Sequence, residues 1–462
     1  MTKSYTGTEL QLEPSAKETA FVNEMAQKLS AVTYIDPALY PKYNVKRGLR
    51  NANNTGVVVA LTRVGDAEGY SIDENGVKHP KPGKLYYRGI DVEEIVSAIR
   101  KENRFGYEET SYLLLFGHLP DKRQLAEYTA ILDRDRPLPD GFTHDMILAV
   151  PSPNIMNKLA RSVLALYSYD ALADDISIPN VLRQSIALIA RFPAICSYAY
   201  QAKHSYYENK SLFIHQPVPG YSTSENILHM LRPDGKFTPL EAKMLDLSMI
   251  IHADHGGGNN SAFTTHVVTS TGTDTYSAIA SAVCSLKGPK HGGASVDVLG
   301  MIADMKANID TRNRDAVEEY LKRLLRKEAY DRLGLIYGIG HAVYTVSDPR
   351  ATMLKEMART LAEEKGLEED FELYDFIEKR GVELLIDFKH LKEPESANVD
   401  LYSGFVYNAL GIPSDMAAPL FASSRIAGWC AHRVEELVSG KIFRPACLNV
   451  QDIVHYTPID ER

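Results

Sequence analysis

Apolar residues recur at helical spacing along nearly the whole chain, and one segment near the N-terminus breaks the rhythm. Ala16, Phe21, Val22, Met25, Ala26 and Leu29 repeat near every 3.6 residues. Ser15 precedes them and Glu18 follows three residues later, the pattern of a capping box. Further helices are predicted over 91–101 (DVEEIVSAIRK), over 107–120 with a stop at Gly117 and Pro120, and over 239–253 with a proline in the first turn. Residues 276–287 are rich in Ala and Ser, as in a tightly packed buried helix, while 314–328 and 351–366 are charged and amphipathic. The acidic run 366–375 (GLEEDFELYD) is expected to be solvated. The exception is 56–90, where GVVVALTRVGDAEGYSIDENG joins a β-branched run to turn residues and predicts one or two hairpins, with the strongest turn at Glu74-Asn75-Gly76. The fold class that follows is mainly α with a minor β element.

The 462 residues can bury more than one core, and 44% hydrophobic with 24% charged residues is an ordinary globular balance. The net charge, 51 − 60 = −9, argues against nucleic acid as a partner, because phosphate binding needs a basic field. Small anions remain possible ligands if a few arginines are focused. No apolar stretch approaches the roughly 20 residues needed to cross a bilayer. Cys196, Cys284, Cys430 and Cys447 are widely spaced and form no disulfide framework. The N-terminus lacks an apolar leader core and carries Glu9, Glu13 and Glu18, so a cytoplasmic protein is expected.

Four local constellations could carry chemistry. His252-Ala-Asp-His255 precedes three glycines, and its spacing predicts both histidines on one helix face. That pair could ligate a metal, be satisfied by hydrogen bonds at a helix end, or bind an anion. His291, in Lys287-Gly-Pro-Lys-His291, is expected near a helix N-terminus, where the dipole disfavours imidazolium. A neutral histidine there can stabilise an enolate-like oxygen or serve only as a cap. His341 follows the Gly338-Ile-Gly340 turn, and Arg350 lies nine residues on, in reach of the same carboxylate ligand. Asp400 opens an apolar helical stretch, as an N-cap or as a general base, and Arg425 and Arg444 follow.

In order, these motifs resemble the citrate synthase family. The matching pieces are Leu85-Tyr-Tyr-Arg-Gly89, Tyr112 to Pro120, His252 to His255, Gly288 to Ala294, Gly338 to His341 and Asp348-Pro-Arg350. Asn398 to Gly404, Arg425 to His432 and Arg444-Pro445 complete a co-linear set from about residue 85 to 445. The resemblance implies a helical homodimer, with a large domain from 1–292 and 412–462, including the β-rich 56–84, and a small domain at 293–411. It implies that His291 holds an acyl-CoA carbonyl oxygen, Asp400 removes the adjacent proton, and His341 polarises the ketone of oxaloacetate. His255, His341, Arg350 and Arg425 would bind oxaloacetate, with Arg444 donated by the second subunit, and Gly338, Gly340 and Asn398 would line the CoA site. Acetyl-CoA would be a co-substrate, with no prosthetic group, metal or membrane needed. Two departures stand out: Ala342 and Thr345-Val-Ser347 occupy positions where many relatives carry basic residues. A 2-methylcitrate synthase using propionyl-CoA, and less closely a citryl-CoA cleaving module, are the alternatives.

Overall fold

The computed structural model describes residues 15–462 and divides into two compact units, Met1–Val59 and Ala60–Arg462. In the first, the helix Ala16–Thr33 opens on the expected capping box: Glu18 N donates to Ser15 Oγ (3.2 Å) and Ser15 N donates to Glu18 Oε2 (2.7 Å). Within that unit its apolar residues, including Phe21 and Leu29, are exposed.

In the second unit, the strands β1 (Gly65–Ile72), β2 (Lys78–Tyr87) and β3 (Ile90–Asp91) form one antiparallel sheet in the order β1-β2-β3. Gly65 pairs with Tyr87, and the register shifts at a bulge between Glu68 and Tyr70. The predicted turn is present: Gly76 N donates to Asp73 O, and Asp73 N donates to Val77 O. The β-branched run before it is not a strand. Val58 and Leu61 are exposed, and the ladder begins only at Gly65, where β2 supplies partners.

The helix Ala417–Ser439 forms the central post, with Leu420, Ile426, Trp429 and Cys430 fully buried. Packed on it are the helices Tyr107–Phe116, Ile178–Glu208, Pro239–His252, Asn260–Thr269 and Thr275–Lys287. A further group, Ala294–Asn308, Arg314–Leu325, Pro349–Lys365, Glu368–Lys389 and Val399–Ala409, packs chiefly among its own members. The acidic 366–375 segment is therefore not simply solvated. It begins the helix Glu368–Lys389, burying Phe371 and Tyr374 on one face. Glu368, Glu369 and Asp370 occupy its first turn, where the helix dipole favours them. No helix among the described residues is long and apolar enough to cross a membrane, and all four cysteines are free.

The helix Pro239–His252 leads directly into the candidate site, and its start is well specified. Thr238 N donates to Glu241 Oε2 (2.8 Å), Glu241 N donates to Thr238 Oγ1 (3.2 Å), and Pro239 takes the first turn. Thr238→Ala is expected to lower unfolding free energy by about 1 kcal/mol with turnover unchanged, as read by urea denaturation.

Candidate active site

The turn after His252 departs from the sequence expectation. Ala253 N bonds back to Ile250 O, the helix ends, and His255 is not on the same helical face as His252. The cause is Asp254, which is fully buried beneath the turn. Its Oδ1 accepts from His432 Nε2 (3.1 Å) and its Oδ2 from Gly256 N (2.8 Å). Glycine is required alongside: a Cβ on Gly65 or Gly428 would lie 2.1 or 2.4 Å from a carboxylate oxygen of Asp254. With Asp254 drawn inward, the next side chain, His255, is set against His341 (ring centroids 5.3 Å) and Tyr344 (5.5 Å).

Arg425 sits at the base of this group with no exposed surface. Its Nε donates to His252 O (2.7 Å) and its guanidinium lies 4.6 Å from the Phe421 ring centroid. Both terminal nitrogens, Nη1 and Nη2, are buried without a hydrogen-bond partner, as is Nε2 of His255. Burial pulls the Arg425 pKa down to about 10, although Asp254 and Tyr87 act against that. Buried polar groups are rarely left unpaired, and charged ones least of all. Such donors mark a place where an anion completes the bonding.

His341 and Arg350 join the same group. His341 Nδ1 accepts from Val343 N and Tyr344 N, both at 3.1 Å, which places the ring hydrogen on Nε2. Arg350 Nη2 lies 3.4 Å from that Nε2; a guanidinium can only donate, so with the ring hydrogen on Nε2 the pair is not a hydrogen bond and both donors face one region. Arg350 is oriented by Asp348, the N-cap of Pro349–Lys365, through Nε–Oδ1 (3.0 Å) and Nη2–Oδ2 (2.7 Å). Tyr344 is stacked on His341 (4.9 Å) and lies under Arg350 (5.4 Å), which restrains both side chains. Burial, then the positive charge of Arg350 and of Arg425, drives the pKa of His255 well below its usual value.

His291 lies in the turn preceding Ala294–Asn308, rather than on the helix itself. Its Nε2 accepts from Ser261 N (3.3 Å), leaving the hydrogen on Nδ1. Ser261 is in turn held by Trp429, whose Nε1 donates to its Oγ (3.0 Å). Burial first, and Arg425 second, lower the His291 pKa to about 4. A place before a helix N-terminus also favours a neutral ring, but desolvation is the larger cause.

Asp400 is not the helix cap. Asn398 is: its Oδ1 accepts from Asp400 N (3.0 Å) at the start of Val399–Ala409. The other end of the same side chain, Nδ2, donates to Gly340 O (2.8 Å), and Asn398 N donates to Gly338 O (2.9 Å). One residue thus ties the Asp400 helix to the His341 loop. Gly338 and Gly340 have φ of +87° and +93°, and a Cβ on Gly338 would lie 2.8 Å from Leu401. Burial raises the Asp400 pKa, opposed by a hydrogen bond from Ser295 Oγ and by Arg350.

His255, His341, Arg350, Arg425 and His291 are brought into one electrostatic group, and Asp400 lies in the field of Arg350. Arg444 is exposed in the irregular C-terminal segment, and among the described residues no contact ties it to this group within the chain. The metal reading of His252 and His255 finds no third ligand among the described residues, since His252 Nδ1 bonds to Ser248 O (2.7 Å) and its ring packs on Phe421. Sequence reasoning missed Ser261, Ser295 and Tyr344. Each was adjacent to a recognised motif, but only the packing reveals what it touches.

The sequence pattern of the family described as "Citrate synthase, C-terminal domain" matches residues 53–446. The chain belongs to the citrate synthase family. The citrate synthase of Synechocystis is 33% identical over 416 residues, 88% of this chain and 92% of that protein. The 2-methylcitrate synthase of Shewanella oneidensis is 32% identical over 362 residues, covering 78% of this chain and 87% of that protein. Among solved structures, a ternary complex of carboxymethyl coenzyme A and oxaloacetate with citrate synthase from Thermoplasma acidophilum superposes with a TM-score of 0.71 at 26% identity. It covers 90% of this chain and 99% of that one. The chain therefore has the mainly α fold of an enzyme family that performs condensations.

The unpaired donors make a specific prediction. A small dicarboxylate at ~100 Kd should add about 2.7 kcal/mol to the unfolding free energy. Arg425→Leu should melt no lower than the parent without ligand, because a desolvated charge is removed, and should lose the ligand-induced shift. Thermal melts of both proteins with and without the dicarboxylate read the two effects.

Proposed function

We propose that this enzyme condenses acetyl-CoA with oxaloacetate and hydrolyses the resulting citryl-CoA to citrate and CoA. The observation that supports this most directly is the buried, unpaired Arg425 Nη1 and Nη2 beside His255, His341 and Arg350. This is a cradle for a compact dianion bearing a polarisable carbonyl. Oxaloacetate meets that description, with its carboxylates held by Arg350, Arg425 and His255.

In this reading the Asp400 carboxylate removes a proton from the methyl carbon of the thioester. The thioester oxygen gains charge as the proton leaves and takes a hydrogen bond from neutral His291 Nδ1. The new carbon–carbon bond forms at the oxaloacetate ketone, whose oxygen takes a hydrogen bond from His341 Nε2 and ends with the proton that left the methyl carbon. Water then cleaves the thioester, releasing the CoA thiol. Neutral imidazoles suit this chemistry because they donate hydrogen bonds to developing oxyanions, and such donors are typically worth 10²–10³ in rate. Movement of a small domain, 293–411, on a large one, 1–292 with 412–462, would exclude water until condensation is complete. The enzyme works as a cytoplasmic homodimer in which Arg444 reaches the partner's oxaloacetate. Gly338, Gly340 and Asn398 shape the CoA-facing loop, and the phosphates are held without a basic residue at Ala342.

A second reading is carried by the Shewanella relative: propionyl-CoA as the acyl donor, giving 2-methylcitrate. The same catalytic residues serve both, and one methylene discriminates by only about 1–3 kcal/mol.

Oxaloacetate with acetyl-CoA should release free thiol, with kcat/KM higher than for propionyl-CoA. The reverse order selects the second reading, and no thiol with either donor sinks both. Asp400→Ala should reduce kcat by about 10²–10⁴ while retaining oxaloacetate binding by calorimetry. The base is the carboxylate and its pKa is raised, so kcat should fall on acidification at a higher pH than for an ordinary aspartate. Ser295→Ala removes a bond that lowers that pKa, so the acid limb of the pH–kcat profile should move to still higher pH.

A further inference from the structure

Behind the substrate group lies a second cluster that the proposed reaction does not use. His266 on Asn260–Thr269 and His432 on Ala417–Ser439 face each other, His266 Nε2 to His432 Nδ1, at 3.1 Å. Each ring is backed by a carboxylate on its other nitrogen: His266 Nδ1 on Glu436 Oε2 (2.9 Å), and His432 Nε2 on Asp254 Oδ1 (3.1 Å). Those carboxylates favour hydrogens on the far-side nitrogens, so the close approach of the two near-side nitrogens requires one cation shared between the rings, either a proton, which makes the contact a hydrogen bond, or a metal ion.

A third ligand atom converges on the same point. Glu435 Oε1 accepts from Arg63 N (2.6 Å), whereas Glu435 Oε2 is buried with no hydrogen-bond partner and lies 3.8 Å from His432 Nδ1. His266 Nε2, His432 Nδ1 and Glu435 Oε2 all lie within 4.8 Å of one another. Shifts of a few tenths of an ångström would bring all three to the roughly 2.0–2.2 Å bonds of a zinc-class ion placed among them.

We propose that His266, His432 and Glu435 form a structural site for a divalent transition metal of the zinc class, oriented by Asp254 and Glu436. The ion joins two helices of the core to the turn carrying His255, because Asp254 is at once the carboxylate behind His432 and the residue that draws that turn inward. Its fourth position is open to water. The path from solvent is short: Arg63, bonded to Glu435, is itself exposed and lines a cavity of 270 Å³ with Thr62, Gly65 and Asp66. The site is independent of the acyl-CoA reading. It takes no part in bond making, and its ligands are distinct from the residues of the substrate group.

The test uses the untagged full chain, stripped with a chelator and titrated with Co²⁺ alone. One equivalent should bind with the intense visible bands of a four-coordinate ion, and Zn²⁺ should displace it and raise the melting temperature. His266→Asn and Glu435→Gln should abolish the bands and the Zn²⁺-induced shift. The milder Glu436→Gln, which alters only the carboxylate behind His266, should weaken binding about 10–100-fold. Far-UV circular dichroism and a cooperative melt establish that each variant is folded, and Glu436→Gln supplies the answer if the other two are not. Failure of the parent to take up Co²⁺ above background overturns the proposal and leaves a proton between the two rings. Equal uptake by His266→Asn, Glu435→Gln or Glu436→Gln also overturns it, by placing the ion elsewhere.

Discussion

Burial of the Arg425 guanidinium with two of its nitrogens unpaired is the constraint on which the rest of the site depends. A desolvated charge left without partners costs several kcal/mol, so it persists only where a rigid surrounding prevents the side chain from swinging to water. Here the central helix Ala417–Ser439 supplies that rigidity. The backbone carbonyl of His252 holds Nε, and Phe421 covers one face of the guanidinium. With Nε on that carbonyl and Phe421 over one face, Nη1 and Nη2 are left to a ligand.

Burial, reinforced by this charge, sets the protonation of its neighbours. His255 and His291 are both desolvated and both lie in the field of Arg425, so each is held neutral. A histidine that stays neutral is a hydrogen-bond donor with a fixed tautomer rather than an acid. The backbone completes the arrangement: the amides of Val343 and Tyr344 fix the hydrogen of His341, and the amide of Ser261 fixes that of His291. Asp400 is tuned in the opposite sense, its carboxylate made more basic by burial and restrained by Ser295 and Arg350. Donors that stay uncharged and a carboxylate that stays basic are what proton removal next to a carbonyl demands.

Much of this is legible in the sequence. The helical rhythm identifies the fold class, the hairpin turn at Asp73–Val77 falls within its expected segment, and the ordered motifs identify the family. The departures are as informative. Val57 to Val59 read as strand because β-branched residues favour one, yet among the described residues no partner strand begins before Gly65. His252 and His255 read as a helical pair because spacing assumes the helix continues. It stops because Asp254 is drawn inward to His432, a residue 178 positions away. The acidic start of Glu368–Lys389 reads as solvated because charge counts ignore which face is turned inward.

Residue types and their order were enough, by themselves, to determine the mainly α class, the family, and the identities of the histidines, arginines and aspartate that gather at the site. These are properties of local periodicity and of motifs a few residues long. Tertiary structure alone decided which ring nitrogen of His291 and His341 carries hydrogen, that Asn398 links Asp400 to the Gly338–Gly340 loop, and that Arg425 is left unpaired. It alone brought His266 to His432 and Glu435, across more than 160 residues of intervening chain. Hydrogen-bond direction and burial arise from contacts between distant segments, and sequence spacing carries no record of which distant atoms will meet.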